Sequence, residues 1–261
     1  MVFATDLDRT MIYSDKFLTE ENVSEAMAIP DGKGYSYMTF TANELLEQIR
    51  NRINIVPCTT RSRDQFNRLP FFRFCEYAIC TNGATIYHNG EIDKQWNMVM
   101  RKNMDLCNEE ILELTKKIQK QNFLETNILF VDNFFLFAKV TDKDKAIEFL
   151  EKELNKEKFY YDFSGQKMYI IPSFISKEHA LSYVLDKLNE QDVLVAGDSK
   201  IDVGMLKMAT VKAFVPINEN DIMNIDFNVK TSVFHELGIF GGQKILEEII
   251  DILEKEEHKD D

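Results

Sequence analysis

Two aspartates, Asp6 and Asp8, close the short apolar run that begins at Val2, and Thr10 follows them. The run is too short for a helix and reads as a buried strand with carboxylates at its C-terminal end. In an open α/β sheet the ligand crevice lies beyond the strand C-termini, at a switch point. Two carboxylates this close repel each other unless a cation or a shared proton lies between them. Taken alone, the stretch also reads as an ordinary Asp-rich turn. Further along, Thr59 follows the apolar run Ile53 to Cys58, and Asp198 and Asp202 follow the all-apolar Val193-Leu194-Val195-Ala196. Four carboxylates gathered at one sheet edge need a hard divalent cation, and oxygen-only ligands select Mg²⁺ over zinc. Lys177, at the start of a helix, offers a fixed positive charge. A carboxylate nucleophile, a second carboxylate for proton transfer, a hydroxyl, an ammonium and Mg²⁺ suffice for phosphoryl transfer through an aspartyl-phosphate.

The elements that must position these groups follow from periodicity. Ala26 to Ile29 and Tyr35 to Met38 flank Pro30-Asp31-Gly32 and predict a hairpin flap over the crevice. Thr41-x-x-Glu44 is a capping-box pattern opening a helix over 42–50. Strand, helix, strand in this order is a parallel crossover, which sets Thr59 at the same sheet edge as Asp6. A helix over 63–69 and a strand over 77–80 follow, then the turn Thr81-Asn82-Gly83 and a hairpin about His88-Asn89-Gly90. From about residue 95 the grammar changes. Helix 108–121, strands 127–131 and 134–140, helix 143–154 and strands 159–163 and 167–171 spell α-β-β-α-β-β. An antiparallel sheet with two helices on one face can bury its own core. The expected organisation is therefore a discontinuous α/β Rossmann-like core, 1–94 and 172–261, carrying an inserted α+β cap, 95–171. Parallel grammar resumes with helix 177–189, strands 193–196 and 212–215, a short helix from Met205 and a last helix over 243–253, before a charged tail read as frayed.

Composition narrows the partners. The chain has 261 residues, 44% hydrophobic and 29% charged, which suits one large domain with a smaller insert. A net charge of −13 argues against a nucleic-acid backbone as partner and leaves an anionic substrate in need of a local basic patch or a metal. Cys58, Cys75, Cys80 and Cys107 form no C-x-x-C pair, so buried free thiols are expected. No leader pattern and no membrane-length apolar stretch is present, so a cytoplasmic protein without a membrane partner is expected.

Asp6-Leu7-Asp8-Arg9-Thr10, Thr59, Lys177 and Gly197-Asp198-x-x-x-Asp202, in this order, resemble the four motifs of the haloacid dehalogenase (HAD) superfamily of phosphatases. The α-β-β-α-β-β insert between the second and third motifs, with Thr81-Asn82-Gly83-Ala84, resembles the C2-capped Cof-like and sucrose-phosphatase-like branch. The resemblance implies Asp6 as nucleophile and Asp8 as the acid, then the base. It implies Thr59 on the phosphoryl oxygens and Lys177 between nucleophile and phosphate. Mg²⁺ would be held by Asp6, the Asp8 backbone carbonyl, Asp198 and Asp202. There are departures. Arg9 stands where many members have Gly, Ile201 where this branch usually has Asn, and Thr60-Arg61 where Gly-Arg is common. The last leaves open whether Thr59 or Thr60 faces the phosphate, and makes Thr60 and Arg61 candidate substrate contacts.

Plainer readings stand beside these. Lys177 can be a solvated first-turn lysine, although a cation is not favoured at a helix N-terminus. Asp202 can serve as a helix N-cap. Arg61 and Arg63 can be surface charges, and His179 a helix-surface residue. Phe71-Phe72-Arg73-Phe74 and Phe134 to Phe137 read as core, with alternate residues of the second run free to face the crevice. The expected function is Mg²⁺-dependent hydrolysis of a small phosphorylated metabolite, a sugar or nucleotide phosphate. A phosphomutase or phosphotransferase using the same aspartyl-phosphate differs only in the acceptor. A non-catalytic phospho-acceptor or Mg²⁺-binding switch has no need of Asp8 as proton donor.

Overall fold

The computed structural model describes residues 1–32, 34–216, 222, 229–235 and 238–258. Strand β1 (Val2–Thr5) enters the sheet at once. The flap follows as an antiparallel hairpin of β2 (Ala26–Asp31) and β3 (Gly34–Thr39), paired from Ala26↔Thr39 to Asp31↔Gly34. Lys33, in its turn, lies outside the described residues. Helix α1 (Phe40–Arg50) starts one residue after β3 ends. Its cap is Thr39, whose hydroxyl accepts from Ala42 N at 2.9 Å, and not the predicted Thr41, which lies inside the helix. Thr39 is the last extended residue, so its side chain is the one free to turn back on the first helical amides. Next come β4 (Asn54–Pro57) and the short α2 (Arg63–Phe66), opened by a Ser62–Gln65 capping box. Strands β5 (Tyr77–Cys80), β6 (Thr85–His88) and β7 (Glu91–Ile92) form a small antiparallel sheet, joined to the end of β4 by the Cys58↔Ile79 bridge.

The insert begins with a helix that the sequence reading lacked, α3 (Lys94–Asp105), capped by Asp93. Then come α4 (Asn108–Ile118), β8 (Leu129–Val131), β9 (Phe135–Lys139), α5 (Lys143–Glu153), β10 (Phe159–Ser164) and β11 (Lys167–Pro172). These strands make a four-stranded antiparallel sheet in the order β10-β11-β9-β8. Its buried face, with Phe134, Met168 and Ile170, packs on Ile111, Leu114, Ile118, Ala146 and Leu150 of the helices. Each large apolar side chain fully buried there stabilises by roughly 1.5–3 kcal/mol.

Helix α6 (Lys177–Leu188), β12 (Val193–Ala196), α7 (Val203–Leu206), β13 (Lys212–Pro216), β14 (Thr231–Phe234) and α8 (Ile239–Glu257) complete the chain. Strand β14 was not expected, and α8 is longer at both ends than predicted. The tail read as frayed continues this helix to Glu257, while 259–261 lie outside the described residues. The central sheet is parallel, in the order β14-β13-β12-β1-β4. Alternation divides its two faces. Phe3, Ile55, Leu194 and Phe214 pack on one side with Leu46, Ile49, Ile245 and Ile249 of α1 and α8. Val2, Ala4, Val56 and Val195 pack on the other with Leu181, Val184, Met205 and Leu206 of α6 and α7. The chain leaves β1 toward β4 on one side and returns to β12 on the other. The switch point therefore lies at the C-terminal end of β1, where Asp6 stands. Phe74 departs from the expected core, being 75% exposed with the Arg50 guanidinium over its ring. The four cysteines are free thiols, and among the described residues no helix is long and apolar enough to cross a membrane.

Candidate active site

Asp6 N donates to Ala196 O at 2.9 Å, so the β1–β12 ladder runs one residue beyond the strand and fixes where the Asp6 side chain emerges. The chain then folds back in a tight loop, with the Met11 and Ile12 amides both donating to Leu7 O at 2.9 Å. Asp6 Oδ1 accepts from Lys177 Nζ at 2.6 Å, and Oδ2 accepts from the Thr10 hydroxyl at 3.4 Å. Lys177 is the first residue of α6 and only 1% exposed. Its ammonium also donates to Asp202 Oδ1 at 2.6 Å. Asp202 Oδ2 gathers the loop after β12, accepting from Asp198 N, Ser199 N and the Ser199 hydroxyl at 3.2, 3.0 and 2.7 Å. Gly197 permits this turn, because a Cβ there would stand 2.5 Å from Asp202 Cβ. Asp6, Asp198 and Asp202 are buried, and each turns a carboxylate oxygen to within 4.8 Å of the others.

Burial and like charge govern the electrostatics. Burial first, then Asp202 and Asp8, push the Asp6 carboxyl up from 3.8 to about 7 against the pull of Lys177. Burial, Asp6 and Asp202 push Asp198 well above the usual carboxylate range. Burial also disfavours the Lys177 ammonium, but Asp202 and Asp6 outweigh it and hold its proton more tightly than usual. The donor set is all oxygen and carries excess negative charge. Asp198 Oδ2 is buried without a hydrogen bond, though Arg9 Nε lies 3.2 Å from it. Such a set fits a hard divalent cation.

A pH dependence follows for the metal-free protein. Asp6 binds its proton more tightly folded than unfolded. Its contribution to stability is therefore fully present below about pH 3.8 and is lost as pH rises through about 7. The melting temperature in chelator is expected to fall across that window, and Asp6→Asn to flatten the fall. A rise in melting temperature traceable to Asp6 over the same window would contradict this.

Asp8 is different. Its side chain is 49% exposed and accepts two bonds from Arg61, Nε to Oδ2 at 2.8 Å and Nη2 to Oδ1 at 2.7 Å. Desolvation raises the Asp8 carboxyl, but the Arg61 hydrogen bonds and charge outweigh it and leave it below the usual value. Arg61 Nη1 reaches Asp31 Oδ2 in the flap at 2.7 Å, so one guanidinium ties Asp8 to the hairpin. Thr59 is fully buried and its hydroxyl accepts from Arg61 N at 3.1 Å, whereas Thr60 lines the cleft. Arg63 N donates to Asp132 Oδ2 at 2.8 Å, and His179 lies exposed on α6.

Asp31 and Asp132 escaped the sequence reading, as did the use made of Thr81-Asn82-Gly83. Thr81, Asn82 and Gly83 have φ of 54°, 56° and 102°, three successive left-handed residues. The insert holds all three. The Thr81 hydroxyl donates to Asp132 Oδ2 at 2.6 Å, Asn82 Nδ2 donates to the Tyr160 hydroxyl at 2.9 Å, and Trp96 Nε1 donates to Gly83 O at 2.9 Å. Gly83 abuts the start of α6. A Cβ there would stand 2.2 Å from Ser176 O and 3.3 Å from Lys177 N. Gly83→Ala is therefore expected to lower stability by about 1–3 kcal/mol. It should lower turnover by about a hundredfold by displacing Lys177. Thermal melts with steady-state kinetics check this, and unchanged turnover would detach the turn from the site.

A cleft of about 700 Å³ opens above these groups. Asp6, Asp8, Thr60, Arg61 and Lys177 form its floor. Across from them runs a cross-strand row of the insert's sheet, Leu129, Phe137, Tyr169 and Asp162, with Phe135 and Lys167 beside it. The model of the sucrose-6F-phosphate phosphohydrolase family matches residues 1–224. The chain belongs to this family. It is a phosphatase of the HAD type, and its parallel core is the HAD Rossmann-like fold. A sucrose-phosphatase from Synechocystis sp. PCC6803, in complex with sucrose and phosphate, has a TM-score of 0.66 at 18% identity over 96% of this chain and 97% of that one. A trehalose-6-phosphate phosphatase related protein gives 0.60 at 15% identity over 98% and 100%. A haloacid dehalogenase-like hydrolase from B. subtilis gives 0.58 at 16% over 94% and 98%. At these identities the likenesses speak for the fold. No curated protein sequence matches significantly.

Proposed function

We propose that this phosphatase hydrolyses the phosphate monoester of a sugar, through an aspartyl-phosphate on Asp6 and with Mg²⁺ as cofactor. The observation that carries the reading is Asp6 itself. It is buried at the switch point, held by Lys177 at 2.6 Å, and opens into the cleft beside a second, half-exposed carboxylate. Asp6, Asp198 and Asp202 would supply carboxylate oxygens to the cation, with the Asp8 backbone carbonyl. When bound, Mg²⁺ supplies positive charge that lets an anionic carboxylate approach an anionic phosphate. Asp6 would attack phosphorus while Asp8, which must leave Arg61 and take up a proton to act as the acid, would hand that proton to the departing sugar oxygen. Asp8 then takes a proton from the water that attacks the acyl-phosphate, returning Asp6 and releasing phosphate. Lys177 holds Asp6 in line and neutralises charge. Thr60 and Arg61, which line the cleft, would contact the phosphoryl oxygens, with the buried Thr59 supporting them through the Arg61 amide.

In this reading residues 95–171 act as a cap on a core made of 1–94 and 172–261, excluding bulk water as it seats. The sugar is favoured over a nucleotide by the family's name and by the cleft's far wall. Phe135, Phe137 and Tyr169 offer apolar ring faces, and Asp162 offers an acceptor for hydroxyls. The test is phosphate release from a panel of sugar phosphates, nucleotides and an aryl phosphate, with Mg²⁺ or with chelator. Mg²⁺-dependent release, highest with a sugar phosphate, is expected. Preference for a nucleotide would overturn the substrate class. Transfer to a second sugar with no free phosphate would make the enzyme a phosphotransferase.

A further inference from the structure

Arg9 directly follows the second catalytic carboxylate, Asp8, with φ of 69°, a left-handed conformation that glycine adopts freely and a long side chain does not. Its side chain is turned inward. Nε lies 3.2 Å from Asp198 Oδ2, both groups are largely buried, and the guanidinium stands 6.0 Å from the centre of the Phe17 ring. Two cations thus serve three carboxylates. Lys177 is hydrogen-bonded to Asp6 and Asp202, while Arg9 faces Asp198. The Arg9–Asp198 contact is a charge pairing without hydrogen-bond geometry, since Asp198 Oδ2 accepts no bond there. Asp198 is therefore neutralised but not locked.

We propose that Arg9 is an internal counter-charge of the metal centre, competing with the divalent cation for Asp198 and thereby weakening its binding. The inference rests on the cation reading above. A unit positive charge this close to one ligand oxygen opposes an entering dication and must yield Oδ2 or share it. Arg9 belongs to the same loop as Asp8 and is largely buried against Asp198, so the opposition is built into the site. Occupancy then follows the concentration of free cation instead of being saturated at all times. Arg9 in this role acts through Asp198 and is a positioning residue.

The test is a titration of Mg²⁺ by calorimetry and of Mn²⁺ by electron paramagnetic resonance, into the whole protein without substrate. Arg9→Gln is expected to bind either ion on the order of tenfold more tightly than wild type. Arg9→Gly, which also relaxes the backbone, should do the same. Arg9→Lys, which keeps the charge, should stay nearer wild type. Circular dichroism melts in chelator establish that each variant folds. Cation binding by the wild type with equal or weaker binding by folded Arg9→Gln and Arg9→Gly would overturn the inference and leave the cation reading intact. No binding by any of the proteins would overturn both.

Discussion

Lys177→Met is expected to lose turnover by at least about a thousandfold and to destabilise the fold by about 3–5 kcal/mol. The ammonium is almost wholly buried and donates to two carboxylates at 2.6 Å. Removing it leaves Asp6, Asp198 and Asp202 facing each other within 4.8 Å with their main fixed counter-charge gone. Methionine fills much of the same volume, so the loss reports charge and not a cavity. The sign of the rescue is distinctive. Without Lys177 the carboxylates bind protons more tightly, so the deficit against wild type should shrink as pH falls. Added Mg²⁺ should also restore part of it, by bringing positive charge back to the centre. Denaturant unfolding across pH, with and without Mg²⁺, measures all three effects. A variant as stable as wild type at neutral pH would mean that the buried network is not held by this lysine.

Asp8→Asn should separate chemistry from stability. Turnover is expected to fall about 10²- to 10⁴-fold, the range for loss of a positioned acid or base. Stability should change by no more than about 1 kcal/mol, because the group is half exposed and its Arg61 partner retains Asp31. Both half-reactions need Asp8 in this mechanism, so neither a better leaving group nor added nucleophile alone should restore the full rate. An aryl phosphate, whose leaving group needs no proton, should recover the first step only. Stopped-flow release of the aryl alcohol reads that step directly. Full steady-state turnover in Asp8→Asn would remove it from the mechanism.

The carboxylates and Lys177 were legible because each stands where a short apolar run stops or a helix begins, and strand ends at a switch point converge whatever the loops do. Asp6, Asp198, Asp202 and Lys177 meet for that reason. Asp31, Asp132 and Tyr160 were not legible. They act from the flap and from the insert, and their partners lie 30, 51 and 78 residues away in sequence. No local pattern carries a contact of that kind. The α3 helix carries only a faint signal. Trp96, Met100 and Met104 recur every fourth residue behind the capping Asp93, in a stretch otherwise too polar to attract notice. Strand β14 is short, at a sheet edge and only half-buried, so alternation there is weak. Thr59 and Thr60 illustrate a further limit. Adjacent residues at a strand end point to opposite sides, and only the three-dimensional register puts Thr60 on the cleft and Thr59 behind it.

In this mechanism Asp6 carries the phosphoryl group between the two half-reactions. Wild type and Asp8→Asn would be mixed with an aryl phosphate, whose leaving group needs no proton, and Mg²⁺, quenched in acid within the first turnover, digested and examined by mass spectrometry. One added phosphoryl group is expected on the peptide containing Asp6, more of it in Asp8→Asn where water attack is slowed, and none in Asp6→Asn, which should also release no phosphate. Steady phosphate release by Asp6→Asn, or turnover by wild type with the phosphoryl group trapped on another residue, would contradict it.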